Sequence, residues 1–343
     1  MLALKIDRTL IEKTLNEQTW LALVIGNTRL HWGLFHQQGL LAGVWHTPHL
    51  SPEQSRAIAQ ANFTDQAWQA IPALKAHTQK LQHTFSTVAT PPSQLWIASA
   101  VPVQTACWVT ASQNNDQIAT HTVERSQIPL AGLYPTLGID RAINLLGAGS
   151  QLNWPVLVID SGTALTFTAG ISREGVGTVY GGAILPGLRL QAQSLGQGTA
   201  ALAAAAELGS TALTTTSSNL AEPSLTFPER WANDTPGAIA SGLAYGTTAI
   251  LWDYLTDWWA NFPNSNVIMT GGDGRRLYDL LRQRAQRSQA TFTEAKTTKE
   301  TAQKTKTPEQ HSRVHTKIQD IQVDNNLMFW GMCAYRNELI LAS

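Results

Sequence analysis

The stretch LALVIGNTRLHWGLF, Leu21 to Phe35, decides how the rest of the chain is read. An apolar run enters a Gly-Asn-Thr-Arg turn and leaves as an alternating strand, the pattern of a β-hairpin whose turn can bring backbone amides close to an anion. A second stretch, VLVIDSGTALTFTAG, Val156 to Gly170, repeats the pattern when Gly26 is set over Gly162. Both show an apolar strand, a small-residue turn with Gly and Thr, and a second alternating strand. A hairpin duplicated at about one domain's length suggests two similar domains. In the first copy the position two before the glycine, where a phosphate loop would use a carboxylate to handle a metal, is Val24.

The bulk properties agree with two domains. A chain of 343 residues exceeds one ordinary core, and 43% hydrophobic with 14% charged residues describes a compact interior. Lys plus Arg and Asp plus Glu are both 24, so no global field favours nucleic acid or an anionic membrane. Cys107 and Cys333 lack metal-ligand spacing and read as reduced core residues, which implies the cytoplasm. The first residues carry frequent charges and no long apolar run, so they read as an amphipathic helix and not a signal peptide. No run approaches the roughly 18–20 apolar residues of a membrane span, so the protein is expected to be soluble. Of the 12 tryptophans, Trp32, Trp96, Trp154 and Trp252 sit in apolar segments without interleaved Lys or Arg, which indicates packing, not base stacking.

Strand-like runs cover Trp20–Ile25, Leu30–Phe35, Gln94–Val101 and Pro155–Asp160, the last continuing through Leu165–Ala169. Helical periodicity covers Ser51–Ala76, Asp140–Gly149, Gly237–Phe262, Asp273–Gln289 and Asn325–Ala342. The alternation predicts an α/β fold. The expected division is a helical extension over 1–19, one domain over 20–152 and a second over 153–343. Within the second, the Thr/Lys-rich tract 291–317 reads as a disordered insertion; Glu294, Glu300 and Glu309 dilute its charge as a nucleic-acid arm.

Several segments carry candidate chemistry. In DSGTALT, Gly162 permits close backbone approach, Thr163 offers a hydroxyl to a phosphate, and Asp160 at a strand's end can hold a cation; a capped hairpin turn is the plainer reading. In LYPTLGIDRAINLLGA, Asp140 follows Gly138 where a loop becomes a helix. A carboxylate there can take a proton from a hydroxyl, and Arg141 can fork onto an anionic substrate, unless the two are a helix-start acid and a surface arginine. GGAILPG, Gly181 to Gly187, and TGGDG, Thr270 to Gly274, could let a heterocycle lie against backbone, or be ordinary connections. There is no GxxxxGK[ST], GxSxG or HExxH motif. His31, His36, His46 and His49 show no metal-ligand pairing, lie on different elements and read as hairpin and surface residues.

Taken in order, GNTR, SAVP, GIDR, DSGTALT, GGAILPG, TPGAIASG and TGG resemble the type III pantothenate kinases, over Trp20 to about Gly274 and again over Asn325–Ala342. The resemblance implies two ribonuclease-H-like domains of the actin-like ATPase superfamily facing each other across a nucleotide cleft. It implies phosphorylation of pantothenate by ATP with Mg2+ and a monovalent cation, K+ or NH4+, in a cytoplasmic homodimer without nucleic-acid or membrane partners. On it, Gly26, Asn27, Thr28 and Arg29 form the first phosphate loop, and Gly138, Ile139, Asp140 and Arg141 the substrate segment. Asp140 is the general base and Arg141 orients the substrate. Asp160 binds the monovalent cation and Thr163 touches ATP. Gly181, Gly182 and Gly187 belong to the adenosine part, and Thr235 completes the pantothenate pocket from the partner chain. Three positions depart from the family pattern: Val24 replaces the Asp of DxGNT, Thr168 replaces a second Asp, and Tyr134 lies closer to Gly138 than the family's substrate tyrosine. Val24 implies a rearranged metal shell. The alternatives are an inactive relative serving as a transcription accessory protein, and a kinase for another small alcohol.

Overall fold

A computed structural model describes residues 19–36, 39–72, 74, 78–88, 90–113, 115–198, 202–212, 227–298 and 314–342. The expected helix over 1–18 lies outside the described residues. The chain forms two compact units. One runs to Gln151 and adds Arg173–Thr178 and the C-terminal residues from Asn326; the other comprises Leu152–Ser172 and Val179–Asn325.

In the first unit, strands β1 (Trp20–Ile25), β2 (Leu30–His36) and β3 (Leu40–Thr47) are followed by helices α1 (Pro52–Gln60), α2 (Asp65–Gln69) and α3 (Thr78–Ser86). Then come β4 (Gln94–Ser99), α4 (Pro102–Ser112), β5 (Ala119–Thr122) and α5 (Ile139–Leu152). The sheet order is β3-β2-β1-β4-β5, with β1, β2 and β3 antiparallel and β4 and β5 running parallel to β1. β1 is buried along its whole length, as a central strand covered on both faces must be. Its register sets Leu23 opposite Trp32, Val24 opposite His31 and Ile25 opposite Leu30. Trp32 centres the core, with Trp68 and Trp108 edge-on at 4.7 Å each, so those tryptophans do pack.

The continuous periodicity over Ser51–Ala76 is broken into α1 and α2. Ser51 and Gln54 close a capping box at the start of α1, and Asn62 and Phe63 then take φ of +52° and +54°. Asn tolerates that region. Phe63 is held there because its ring is fully buried, 6.1 Å from Trp32, and burial of a large aromatic outweighs the local strain.

The second unit contains β6 (Val156–Ser161), β7 (Ala164–Arg173), β8 (Val176–Pro186), α6 (Leu188–Gly198), α7 (Ala203–Ala212) and α8 (Thr235–Asn261). β9 (Asn266–Thr270), α9 (Gly274–Thr298) and β10 (Gln322–Val323) follow, and the chain ends in α10 (Leu327–Ala342). The sheet order is β10-β9-β6-β7-β8, with β6 antiparallel to β7 and parallel to β9. Each sheet thus places its hairpin's first strand in the centre, with a meander on one side and parallel strands on the other. This is the ribonuclease-H-like arrangement, present twice. Of the tract 291–317, residues to Thr298 extend α9, Val314 and His315 are buried, and 299–313 lie outside the described residues.

Helix α10 follows the second sheet in sequence but packs on the first. A Cβ on Gly33 would come within 2.8 Å of the Phe329 ring, Trp330 meets Phe35 edge-on at 6.1 Å, and Arg336 Nε donates to Gln94 Oε1 at 3.0 Å. α10 also crosses α5 at two glycines: a Cβ on Gly147 would stand 2.7 Å from Gly331 N and from Leu327 O. This crossing fixes the helix whose first turn carries Asp140.

Candidate functional site

The β1–β2 turn closes through Gly26 N donating to Arg29 O at 3.0 Å, leaving Asn27, Thr28 and Arg29 exposed. Its anchors are histidines. His49 Nε2 donates to Gly26 O at 2.8 Å, and the Nδ1 atoms of His31 and His46 lie 3.0 Å apart. The Nε2 of His31 is 3.7 Å from where a Cβ on Gly26 would stand. Burial first, then the neighbouring His46 and Arg29, lower the His31 pKa to about 4. His31 and His46 are hairpin residues, as the sequence suggests, and the β2–β3 register sets them opposite each other, while His49, beyond β3, reaches the turn through the Gly26 carbonyl.

The segment ahead of α5 is compact. Leu137 N donates to Tyr134 O at 3.0 Å, and Ala142 N to Gly138 O at 3.1 Å, the first bond of the helix. Asp140 is exposed in the first turn, where a carboxylate is favoured by the helix dipole, and its Oδ1 lies over Gly138 where any Cβ would collide. Arg141 is not a surface residue. It is 6% exposed, and its Nη1 donates to Tyr134 Oη at 3.1 Å. Despite its shorter spacing, Tyr134 therefore meets the substrate segment, with Ile139 half-buried between.

In the second unit, three separate stretches converge on Asp160 near the end of β6. The turn after it closes by Gly162 N donating to Ala164 O at 3.0 Å and leaves Thr163 exposed. Gly187 N donates to Thr163 O at 3.0 Å, and a Cβ on Gly187 would come within 2.7 Å of that oxygen. Gly271, at φ +85°, is bound by geometry to be glycine: a Cβ there would come to 2.5 Å from Asp160 Oδ1 and 2.8 Å from Ser161 O. Asp273 N donates to Ser161 O at 2.9 Å. Thr168 is buried in β7 opposite Val158.

Gly181 and Gly182 do not join this cradle as a loop. They lie within β8, an edge strand, and no atom stands within 4 Å of a Cβ on Gly181. Thr235 is exposed at the first position of α8, capped by Asp234, whose carboxylate accepts from Gly237 N at 2.7 Å. It borders a groove of about 600 Å³ lined also by Leu195, Ile239 and Leu243. Sequence reasoning passed over Asp273, having weighed only the glycines of TGGDG. Burial raises its pKa and the Arg276 guanidinium, 2.5 Å away, opposes this; burial is the larger effect.

Gly162 and Gly271 bring backbone close to the Asp160 carboxylate, a combination of residue types that suits a phosphate and its counter-ion. Among the described residues no three His, Cys, Asp or Glu side chains gather into a metal cluster. That donor set fits a cation held by one carboxylate together with phosphate oxygens and water.

A family model described as type III pantothenate kinase matches residues 20–255. The chain belongs to the type III pantothenate kinase family. A type III pantothenate kinase of Nostoc sp. is 36% identical over 320 residues, covering 92% of this chain and 94% of its own. Another, from Synechococcus elongatus, is 36% identical over 268 residues, covering 76% and 87%. Among solved structures, the ethanolamine utilization protein EutJ from Carboxydothermus hydrogenoformans covers 96% of this chain at 12% identity with a TM-score of 0.43, a likeness too slight to bear on the chemistry. The family match takes in both glycine turns, the GIDR segment and Thr235; TGGDG lies beyond it. Among the described residues no helix is long and apolar enough to cross a membrane.

Proposed function

We propose that this chain phosphorylates pantothenate at the expense of ATP, giving 4′-phosphopantothenate for coenzyme A synthesis, and that Asp140 is its general base. The observation that carries the assignment is the Asp140 geometry. An exposed carboxylate sits at a helix start beside Arg141, whose guanidinium is held by Tyr134. Asp140 takes the proton of the primary hydroxyl as that oxygen attacks the γ-phosphorus. The bond to the β-phosphate oxygen breaks and ADP leaves. Arg141 pairs with the pantothenate carboxylate, and Tyr134 keeps the guanidinium in register.

Asn27 to Arg29 and Thr163 would hold phosphates through backbone amides and hydroxyl groups, the turn being closed by the Gly26 amide, and Gly181, Gly182 and Gly187 would offer backbone to the adenosine. Asp160 would hold a monovalent cation, K+ or NH4+, and with Asp273 would orient the hydrated Mg2+ that travels with ATP. Such cations, when bound, would supply charge to offset the phosphate oxygens, a main electrostatic demand of phosphoryl transfer. Thr235 serves a partner's pocket in a cytoplasmic homodimer.

The test is pantothenate-dependent ADP release with Mg2+, in K+ and in Na+. Asp140→Asn should lower kcat by about 10²–10⁴-fold while leaving the melting temperature near wild type, because the side chain is exposed. Wild-type protein that binds ATP and pantothenate yet releases no ADP would refute the reading in favour of a regulatory binder.

A further inference from the structure

His31 has no part in the assignments above, yet its ring stands where a nucleotide phosphate would approach the first turn. In the β1–β2 register it faces Val24, the position at which the family pattern has a carboxylate. Directly opposed residues of an antiparallel pair share a sheet face with their Cβ atoms about 5 Å apart. The imidazole therefore covers the ground that a carboxylate at position 24 would serve. Its Nε2 lies 3.7 Å from where a Cβ on Gly26 would stand, and His49 Nε2 donates to the Gly26 carbonyl at 2.8 Å.

The contact with His46 defines the chemistry of the ring. Two Nδ1 atoms 3.0 Å apart can share only one proton, so one ring donates and the other accepts. A ring that accepts at Nδ1 and stays neutral must carry its proton on Nε2. Burial keeps His31 neutral, with its pKa near 4. With His46 donating at Nδ1, His31 would present an uncharged Nε2–H beside the turn.

We propose that His31 is a phosphate-binding residue: its Nε2–H, fixed by the Nδ1 contact with His46, donates to a terminal phosphate oxygen of ATP at Gly26–Arg29. This rests on the reading of that turn as a phosphate loop. A hydrogen bond to a charged acceptor corresponds to about a 10–100-fold effect on affinity.

The experiment is calorimetric titration of the full chain with ATP and Mg2+, and separately with adenosine, for wild type, His31→Phe and His31→Gln. His31→Phe keeps a ring without the donor and should weaken ATP at least about tenfold, with adenosine binding unchanged. His31→Gln restores an N–H and should recover most of the loss. A ring-nitrogen NMR correlation on wild type should show His31 as the Nε2–H tautomer, with that proton shifting when ATP is added. Unchanged ATP affinity in a folded His31→Phe, or equal losses for ATP and adenosine, overturns the assignment. If wild type turns pantothenate over while His31→Phe binds ATP normally, only this inference fails. If wild type binds no ATP, the phosphate-loop reading fails with it.

Discussion

Replacing Gly331 with Ala tests whether the helix crossing holds the catalytic segment. A Cβ at Gly331 would stand 2.7 Å from the Ile143 carbonyl carbon and 2.8 Å from Ile143 Cγ2; one at Gly147 would meet Gly331 N at 2.7 Å and Gly331 Cα at 3.1 Å. Most of these neighbours are backbone, so α5 and α10 must separate instead of a side chain turning away. Overpacking of this kind costs about 1–3 kcal/mol, with the unyielding contact placing it toward the upper end. The intrinsic helix preference of Ala over Gly returns up to about 1 kcal/mol. The net loss is about 1–2 kcal/mol, a fall of roughly 1–3 °C in melting temperature for a chain of 343 residues. Because α5 begins at Ile139 and Asp140, its displacement should also lower kcat while ATP affinity is unchanged. Gly246→Ala in α8 is the control. Nothing lies within 4 Å of a Cβ there, so only the propensity gain of up to about 1 kcal/mol remains. Calorimetric melting and steady-state kinetics of both variants decide the matter. If Gly331→Ala melts as high as Gly246→Ala, the two helices are not in the contact described and the crossing does not position Asp140.

Tyr134→Phe removes the hydroxyl that holds Arg141 at 3.1 Å and should raise the KM for pantothenate by roughly three- to tenfold, about 1 kcal/mol, with little change in the KM for ATP; equal rises in both would refute that role. The low pKa of His31 also gives the fold a pH dependence. Between the ordinary histidine value of 6.5 and about 4 the unfolded ring binds a proton that the folded one excludes, so stability present at pH 7 is lost as pH falls through that window. The loss is at most about 3 kcal/mol. The melting temperature of His31→Gln should fall less than wild type between pH 7 and pH 4.5, and parallel curves would rule the effect out.

What the sequence revealed and what it hid follow from the range of the interactions. β1 and β6 were legible because central strands are apolar on both faces, and the GNTR and DSGT turns because glycine and small polar residues punctuate them. β3 and β8 were not: each is partly exposed, and their broken alternation reads as loop. GGAILPG reads as a loop, although Gly181 and Gly182 lie within β8 and only Gly187 follows its end and meets Thr163. Periodicity ran through Ala61–Thr64 because nothing local announces that Phe63 will be drawn under Trp32. The Gly147–Gly331 crossing joins distant parts of the chain and leaves no local pattern at all. The histidine trio is an intermediate case: once the hairpin register is known, His31 and His46 are forced into adjacency, so pairing strands on paper would have found it.

The register also answers what became of the missing carboxylate. In the second hairpin Asp160 faces Thr166, and in the first Val24 faces His31. On the proposal above, the polar group stands on the opposite strand. Restoring the acid by Val24→Asp should therefore not improve the enzyme. Position 24 is only 5% exposed, so the new carboxylate would be buried, and its cross-strand partner is His31. Pairing would favour the protonated ring and raise its pKa above the present value of about 4. The ring would then bind the acid and not the phosphate. The expected outcome is weaker ATP binding, a slower kcat, and a stability profile whose acid-side loss between pH 6.5 and 4 is reduced. The double variant Val24→Asp with His31→Gln removes the competing partner and should recover part of the ATP affinity and show a steeper Mg2+ dependence than wild type. A single Val24→Asp variant that binds ATP more tightly and turns over faster would mean that the carboxylate is simply missing and the histidine does not stand in for it.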